Sequence, residues 1–408
     1  MFDINLTWDR PAKISGQTSE HILRVRLQPQ DNINLTGIPL RLALALDTSL
    51  SMSGEKLESA KTACQTVIAQ LRDSDRFSLA SFSTKVTPLL QNTERNNSAI
   101  ASAINKLSAS GITRTDLALN WLWETLPNEP NVARVAILIT DGHATNLQGK
   151  LLEDLNPLTE QADRFSQAGI ILCTVGLGDA ANFNTGFLTE LSDRARGTFL
   201  YADTPANLEP QLRDRLSACQ AIAVERAMLI LKPASGVTLQ GFCYFRPEYL
   251  PLEETAPGEV PLGALRTNCP TDILISLAVP PANFGDSLDR KEVLQVHFDS
   301  RIAPPVTETA SIQYTQSYRE AQQINEEVNR DRLCWEINLY STELTRTNDP
   351  HRTGELLTNL QVAAVKSGQD NIAQQASQQL DDLKKTGTLK PHNTTALHQA
   401  TRNLGETS

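Results

Sequence analysis

A chain of 408 residues exceeds what one hydrophobic core usually supports, so two or three domains are expected. Hydrophobic residues at 40% and charged residues at 21% are ordinary for a globular protein, and a formal net charge of −10 without basic tracts excludes nucleic acid as the main partner. The opening Met1-Phe2-Asp3-Ile4-Asn5-Leu6 has no signal-peptide pattern, no apolar run is long enough to span a bilayer, and the six cysteines form no C-x-x-C pair. A cytoplasmic protein without membrane contact is the expectation.

Phe2, Ile4, Leu6 and Trp8 alternate with polar residues, as do Leu23, Val25 and Leu27, which predicts half-buried strands within 1–38. From residue 39 the pattern changes. Leu40–Leu46, Phe77–Phe82, Ala133–Ile139 and Ile170–Val175 are nearly continuous apolar runs, as expected of strands covered on both faces. Between the first two, Glu55–Leu71 carries Leu57, Ala60, Cys64, Val67, Ile68 and Leu71 on one helical stripe, with Ser53 as the expected N-cap. Ile100, Ile104 and Leu107 form a second stripe, and Leu208, Leu212, Leu216 and Cys219 a later one. Strands alternating with helices over 39–220 predict an α/β, Rossmann-like, doubly wound and mostly parallel sheet, because parallel neighbours need a crossover element.

Residues 221–315 return to strand patterns, separated by turn signals at Pro257-Gly258, Pro280-Pro281 and Pro304-Pro305. An antiparallel β-sandwich is predicted there, and the N-terminal strands, having no other partner, are expected to pair into it. Residues 316–385 read as helices, with Ile324 and Val328 leading to Trp335 and Leu339 on the first apolar stripe. The polar stretch 386–408 reads as a mobile tail with a short helix around Leu397.

Three oxygen-bearing loops fall where ligands of open α/β sheets bind, beyond the carboxyl ends of strands. Asp47, Ser49 and Ser51 follow the first buried run, Gly111-Ile112-Thr113 leads into a helix near Asp116, and Thr140-Asp141-Gly142 follows Ala133–Ile139. Hydroxyls and carboxylates without histidine or thiolate suit a hard cation, magnesium foremost, with manganese and calcium as alternatives. If Asp47 and Asp141 act through water, a shell of neutral hydroxyls leaves the cation wanting an anionic oxygen, such as a Glu or Asp of a partner protein.

A lone D-x-S-x-S is more often a cap or turn than a site, so the reading rests on the three clusters in order. Asp47 as a phosphatase nucleophile would need a general acid two residues on, where Ser49 stands. Gly176 and Gly178 are followed by neither a helix-opening G-x-G-x-x-G nor a Walker lysine. No enzyme and no nucleotide site are expected.

The ordered set Asp47-Thr48-Ser49-Leu50-Ser51, Gly111-Ile112-Thr113 with Ala118-Leu119 downstream, and Thr140-Asp141-Gly142 resembles the metal-ion-dependent adhesion site of von Willebrand factor A domains. Val175–Gly178 and Thr198–Tyr201 look like the last strands of that fold. More loosely, the flanking strands and helices are similar to bacterial A-domain proteins with a β-sandwich beside the core, like the inter-alpha-trypsin-inhibitor group. The resemblance implies Ser49, Ser51 and Thr113 as direct ligands, Asp47 and Asp141 as ligands through water or, in a closed state, directly, and a protein binder that is not catalytic. Leu50 stands where many relatives have glycine, and Arg114 where a small polar residue is common; with His143 they form the expected rim. Leu50 is expected to shape partner choice, Arg114 to pair with the incoming acidic side chain, and Asp116 to cap its helix. The function implied is an adaptor that captures an acidic residue of a partner protein. The alternatives are a subunit working beside a separate ATPase of the MoxR or chelatase type, and a scaffold whose metal site is empty.

Overall fold

The computed structural model describes residues 2–30, 37–282, 289–347 and 349–405. Three strands come first, β1 (Phe2–Trp8), β2 (Ala12–Ile14) and β3 (Ser19–Pro29). Strands and helices then alternate: β4 (Leu40–Asp47), α1 (Glu55–Ala69), β5 (Arg76–Phe82), β6 (Val86–Thr93), α2 (Ala99–Asn105), α3 (Thr115–Thr125), β7 (Ala133–Thr140), α4 (Asn156–Ala168), β8 (Ile170–Leu177), α5 (Thr185–Arg194), β9 (Phe199–Ala202) and α6 (Pro205–Gln220). Next come β10 (Ile222–Pro233), β11 (Thr238–Arg246), β12 (Leu250–Leu252), β13 (Glu259–Arg266), β14 (Thr271–Val279), β15 (Arg290–Asp299) and β16 (Val306–Thr315). The last elements are α7 (Tyr318–Ala321), α8 (Glu326–Leu344), α9 (Pro350–Ser367), α10 (Asp370–Thr386) and α11 (Pro391–Arg402). The chain divides into two units, one of Met1–Leu35, Arg226–Thr388 and Ala400–Ser408, the other of Thr36–Glu225 with Leu389–Gln399.

The unit of Thr36–Glu225 is built on one sheet in the order β6-β5-β4-β7-β8-β9. Every pair in it is parallel except the edge pair of β5 with β6. The sequence reading omits β6, because Pro88 and the exposed residues of Val86–Thr93 give neither an apolar run nor a clean alternation. β4 and β7 have every position buried except Arg41, as their apolar runs require. β4 is flanked by β5 on one side and β7 on the other, so the chain winds outward from it in both directions. That makes the carboxyl end of β4 the topological switch point, the usual ligand crevice of such sheets. The stripe Leu57, Ala60, Cys64, Val67, Ile68 and Leu71 is buried, and so is Leu208, Leu212, Leu216 and Cys219.

In the other unit β1-β3-β14-β11-β12 form one sheet and β13-β10-β15-β16-β2 a second. β3 pairs antiparallel with both β1 and β14, placing Val25 opposite Ile273 and Leu23 opposite Ile275. The two sheets meet face to face where the Phe2 and Phe298 rings pack edge-on, 5.8 Å between centroids, and where Trp8 Nε1 donates to Ser311 O at 2.9 Å. α8 lies against the sheet of β3, β11 and β14 through a buried charge network. Asp331 accepts from Arg246 at 2.9 Å and from Arg24 at 3.2 Å, while Asp272 accepts from Arg26 at 2.7 Å and from Arg246 at 2.8 Å.

Two expectations change. The N-cap position before α1 is Gly54, and the Ser53 hydroxyl turns back to donate to Leu50 O at 2.6 Å, closing the preceding turn instead. Leu339 is exposed because α8 turns Val328, Asp331, Trp335 and Asn338 inward, and Ile324, exposed as well, precedes the helix. The short helix expected around Leu397 is Pro391–Arg402, with Thr395, Leu397 and His398 buried. Its packing is mostly polar: Tyr201 Oη lies 2.8 Å from His392 Nδ1, Thr185 Oγ1 2.8 Å from Thr395 Oγ1, and Tyr201 N donates to Gln399 at 3.0 Å. Among the described residues no helix is long and apolar enough to cross a membrane.

Candidate functional site

The three loops at the carboxyl ends of β4 and β7 are stitched together by backbone bonds. Ser110 N donates to Thr48 O at 2.7 Å, Leu50 N to Gly111 O at 3.2 Å, and Thr145 N to Thr113 O at 2.9 Å. Gly111 has φ +81°, and a Cβ there would fall 2.4 Å from Thr84 Oγ1, so this turn excludes any side chain.

On this frame the side-chain oxygens converge. Asp47 ends β4, fully buried, with Oδ1 accepting from Ser49 N at 2.7 Å and Oδ2 from Thr140 Oγ1 at 2.6 Å. Ser49 Oγ is 3.0 Å from Ser51 Oγ, which donates to Asp141 Oδ1 at 2.7 Å. Thr113 reaches the same place from the second loop: a Cβ on Gly142 would lie 3.3 Å from Thr113 Oγ1 and 3.7 Å from Ser51 Oγ. Ser49, Ser51 and Asp141 are thus joined in one hydrogen-bonded row, Asp47 is tied to it through the Ser49 amide, and the hydroxyls of Ser51 and Thr113 both flank the bare Gly142.

Burial pushes the Asp47 carboxyl up to about 6, against the hydrogen bonds from Thr140 and Ser49, with the Asp141 charge adding to the rise. The pair of carboxylates therefore favours a positive charge beside it. The structure supplies one that the sequence reading misses. Lys56, in the first turn of α1, places Nζ 2.6 Å from Asp141 Oδ2, and Asp141 is fully buried. A cation in the first turn of a helix opposes the helix dipole, and that misfit is a signal present in the sequence.

The rim differs from expectation. Leu50 is 68% exposed beside the loop hydroxyls, as a bulky apolar residue at the mouth should be. Arg114 does not stand open to an incoming acid, because its Nε and Nη2 donate to Asp116 at 2.8 and 2.6 Å. Asp116 for its part makes this ion pair rather than a cap, since no side chain caps α3. The proximity is local, two residues apart at a helix start, where a guanidinium fork fits a carboxylate better than the backbone does. His143 Nε2 lies 3.4 Å from Ala181 O, at the side of the third loop.

The donor set fits a hard divalent cation. It is all oxygen, three hydroxyls and two carboxylates, and the missing side chain at Gly142 leaves room between the hydroxyls of Thr113 and Ser51. Among the described residues no group of three or more His, Cys, Asp or Glu side chains could hold a metal, so binding would rest on the hydroxyls.

The comparisons with known proteins agree with this fold. The family model for the von Willebrand factor type A domain matches residues 42–215. An uncharacterized protein of Synechocystis sp. is 27% identical over 277 residues, 66% of this chain and 64% of that protein. Human inter-alpha-trypsin inhibitor heavy chain H1 is 26% identical over 189 residues, 44% of this chain and 20% of its own. The match therefore spans under two thirds of either relative. Among solved structures, a von Willebrand factor type A protein from Catenulispora acidiphila superposes with a TM-score of 0.79 at 17% identity, covering 98% of this chain and 97% of that one. The ArnB paralog VWA2 from Sulfolobus acidocaldarius does so at 0.61 and 16% identity, over 99% of each chain. On the family match and the parallel sheet with its loops, residues 42–215 form a von Willebrand factor type A domain.

Proposed function

We propose that the chain is a metal-dependent protein-interaction module and not an enzyme. Ser49, Ser51 and Thr113, with Asp47 and Asp141, would hold a divalent cation, magnesium foremost, and a Glu or Asp side chain of a partner protein would be captured there. The observation that carries this reading is that the hydroxyls of Thr113 and Ser51, from two distant loops, both flank the bare Gly142, with Ser49 and Asp141 bonded to Ser51.

A bound divalent cation supplies a concentrated positive charge able to accept an anionic oxygen from outside. The protein's residues do the rest. Thr140 and the Ser49 amide fix both oxygens of Asp47, and the Ser51 hydroxyl fixes one oxygen of Asp141, so the site is arranged before any ligand arrives. Burial of both carboxylates keeps water from screening their charge. Leu50 at the mouth favours a partner with apolar surface next to its acidic residue. All six cysteines stand outside disulfides, in keeping with a reducing, cytoplasmic compartment.

The test is affinity capture with wild-type protein and with Asp47→Ala, each in magnesium and in chelator. Partners should be retained by the wild type in magnesium alone. Equal capture under all four conditions would overturn the reading.

A further inference from the structure

Lys56 is the charged group of the site that the oxygen ligands do not account for. Its Nζ lies 2.6 Å from Asp141 Oδ2, while Asp141 Oδ1 is bonded to Ser51 Oγ at 2.7 Å. The side chain runs past Gly178, where φ is +85° and a Cβ would stand 3.2 Å from Lys56 Cε and 3.6 Å from Nζ. A side chain at Gly178 would be strained by that φ and would crowd the Lys56 stem. The first turn of α1 is an unfavourable address for an ammonium group, and the bond to Asp141 is what offsets it.

The charge of the site follows. Asp47 and Asp141 carry two negative charges and Lys56 returns one, leaving −1; a divalent cation brings the sum to +1, and one carboxylate from outside brings it to zero. Without Lys56 the loaded site would sum to zero, and its pull on an outside carboxylate would rest on the neutral hydroxyl shell alone.

We propose that Lys56 is the residue that makes cation and acidic partner bind interdependently. This inference rests on the metal-dependent reading of the site. Lys56 shares Asp141 with the cation, so the cation alone binds weakly, and it leaves a positive charge that a single carboxylate satisfies. The partner is thereby specified as one presenting one carboxylate rather than a neutral or basic group.

The experiment is calorimetric titration of the full chain with Mn2+, in the presence and absence of acetate as the carboxylate probe, for wild type, Lys56→Gln and Lys56→Met. Lys56→Met keeps an unbranched stem against Gly178 and serves if Lys56→Gln fails to melt cooperatively. Removing a positive charge beside the cation should tighten Mn2+ binding about tenfold. The improvement that acetate gives the wild type should largely disappear in both variants. Unchanged or weaker Mn2+ affinity in a variant that melts cooperatively overturns the role of Lys56 and leaves the metal site standing. Absence of Mn2+ binding in wild type and variants alike overturns the metal site, and the inference with it.

Discussion

Asp75 shows how much one buried carboxylate can organise. Its Oδ1 accepts from Leu40 N at 2.9 Å and its Oδ2 from Arg72 N at 2.9 Å, while the Arg72 guanidinium donates to Gly37 O at 2.9 Å and Ile38 O at 2.7 Å. Together they tie down the start of β4, the strand that delivers Asp47. Burial alone would raise the Asp75 carboxyl, but the Arg72 side chain and the two amides outweigh it and hold it below its ordinary 3.8. A depressed folded value means the stabilisation is complete above the unfolded value and is lost as pH falls through the folded one. Asp75→Asn should therefore lower stability by about 2 kcal/mol at neutral pH. The difference in melting temperature should close as pH drops below the unfolded value of 3.8; a gap that stayed constant into acid would count against the ionised carboxylate as the cause. At this scale the positions of Asp47 and Asp141 were legible because they end apolar runs, whereas Thr113, in the loop before α3, was singled out by the order of the three clusters and the resemblance they carry. Lys56 and the Arg114–Asp116 pair were not, since which charge meets which depends on side-chain direction that spacing does not encode.

Among the elements, α8 has the least ordinary anchorage. Apolar periodicity led to Ile324 and Leu339 as buried positions, whereas the helix is held through Asp331, buried between Arg24 and Arg246. A charge in the middle of a helix reads as solvent-facing until its partners are known, and these lie on β3 and β11, 307 and 85 residues away. Asp331→Ala removes an acceptor shared by two buried guanidinium groups and leaves Arg24 with Glu327 and Arg246 with Asp272, which should cost about 2 kcal/mol. Denaturant unfolding should show this as an early transition of the unit containing α8, with the parallel-sheet unit unchanged; a loss of less than about 1 kcal/mol would mean that Glu327 and Asp272 compensate fully. The helix α11 was expected around Leu397, but its buried face was not, since Thr395, His398 and Thr401 look like surface residues in the sequence. By contrast β4, β7 and β8 were legible as strands because both their faces are covered, so most positions are apolar.

For the whole molecule, the switch-point geometry puts Asp47 and Asp141 at the ends of neighbouring strands β4 and β7, with the Thr113 loop beside them. Three stretches distant in sequence therefore present oxygens to one point, and metal-dependent capture of an acidic partner depends on that meeting. The most direct measurement is anomalous diffraction at the manganese edge from crystals of the full chain soaked in Mn2+. The account predicts one strong peak in contact with the hydroxyls of Ser51 and Thr113, lost in Asp47→Ala crystals. A map with no peak there, the loops and the Lys56–Asp141 pair being otherwise as described, would contradict it.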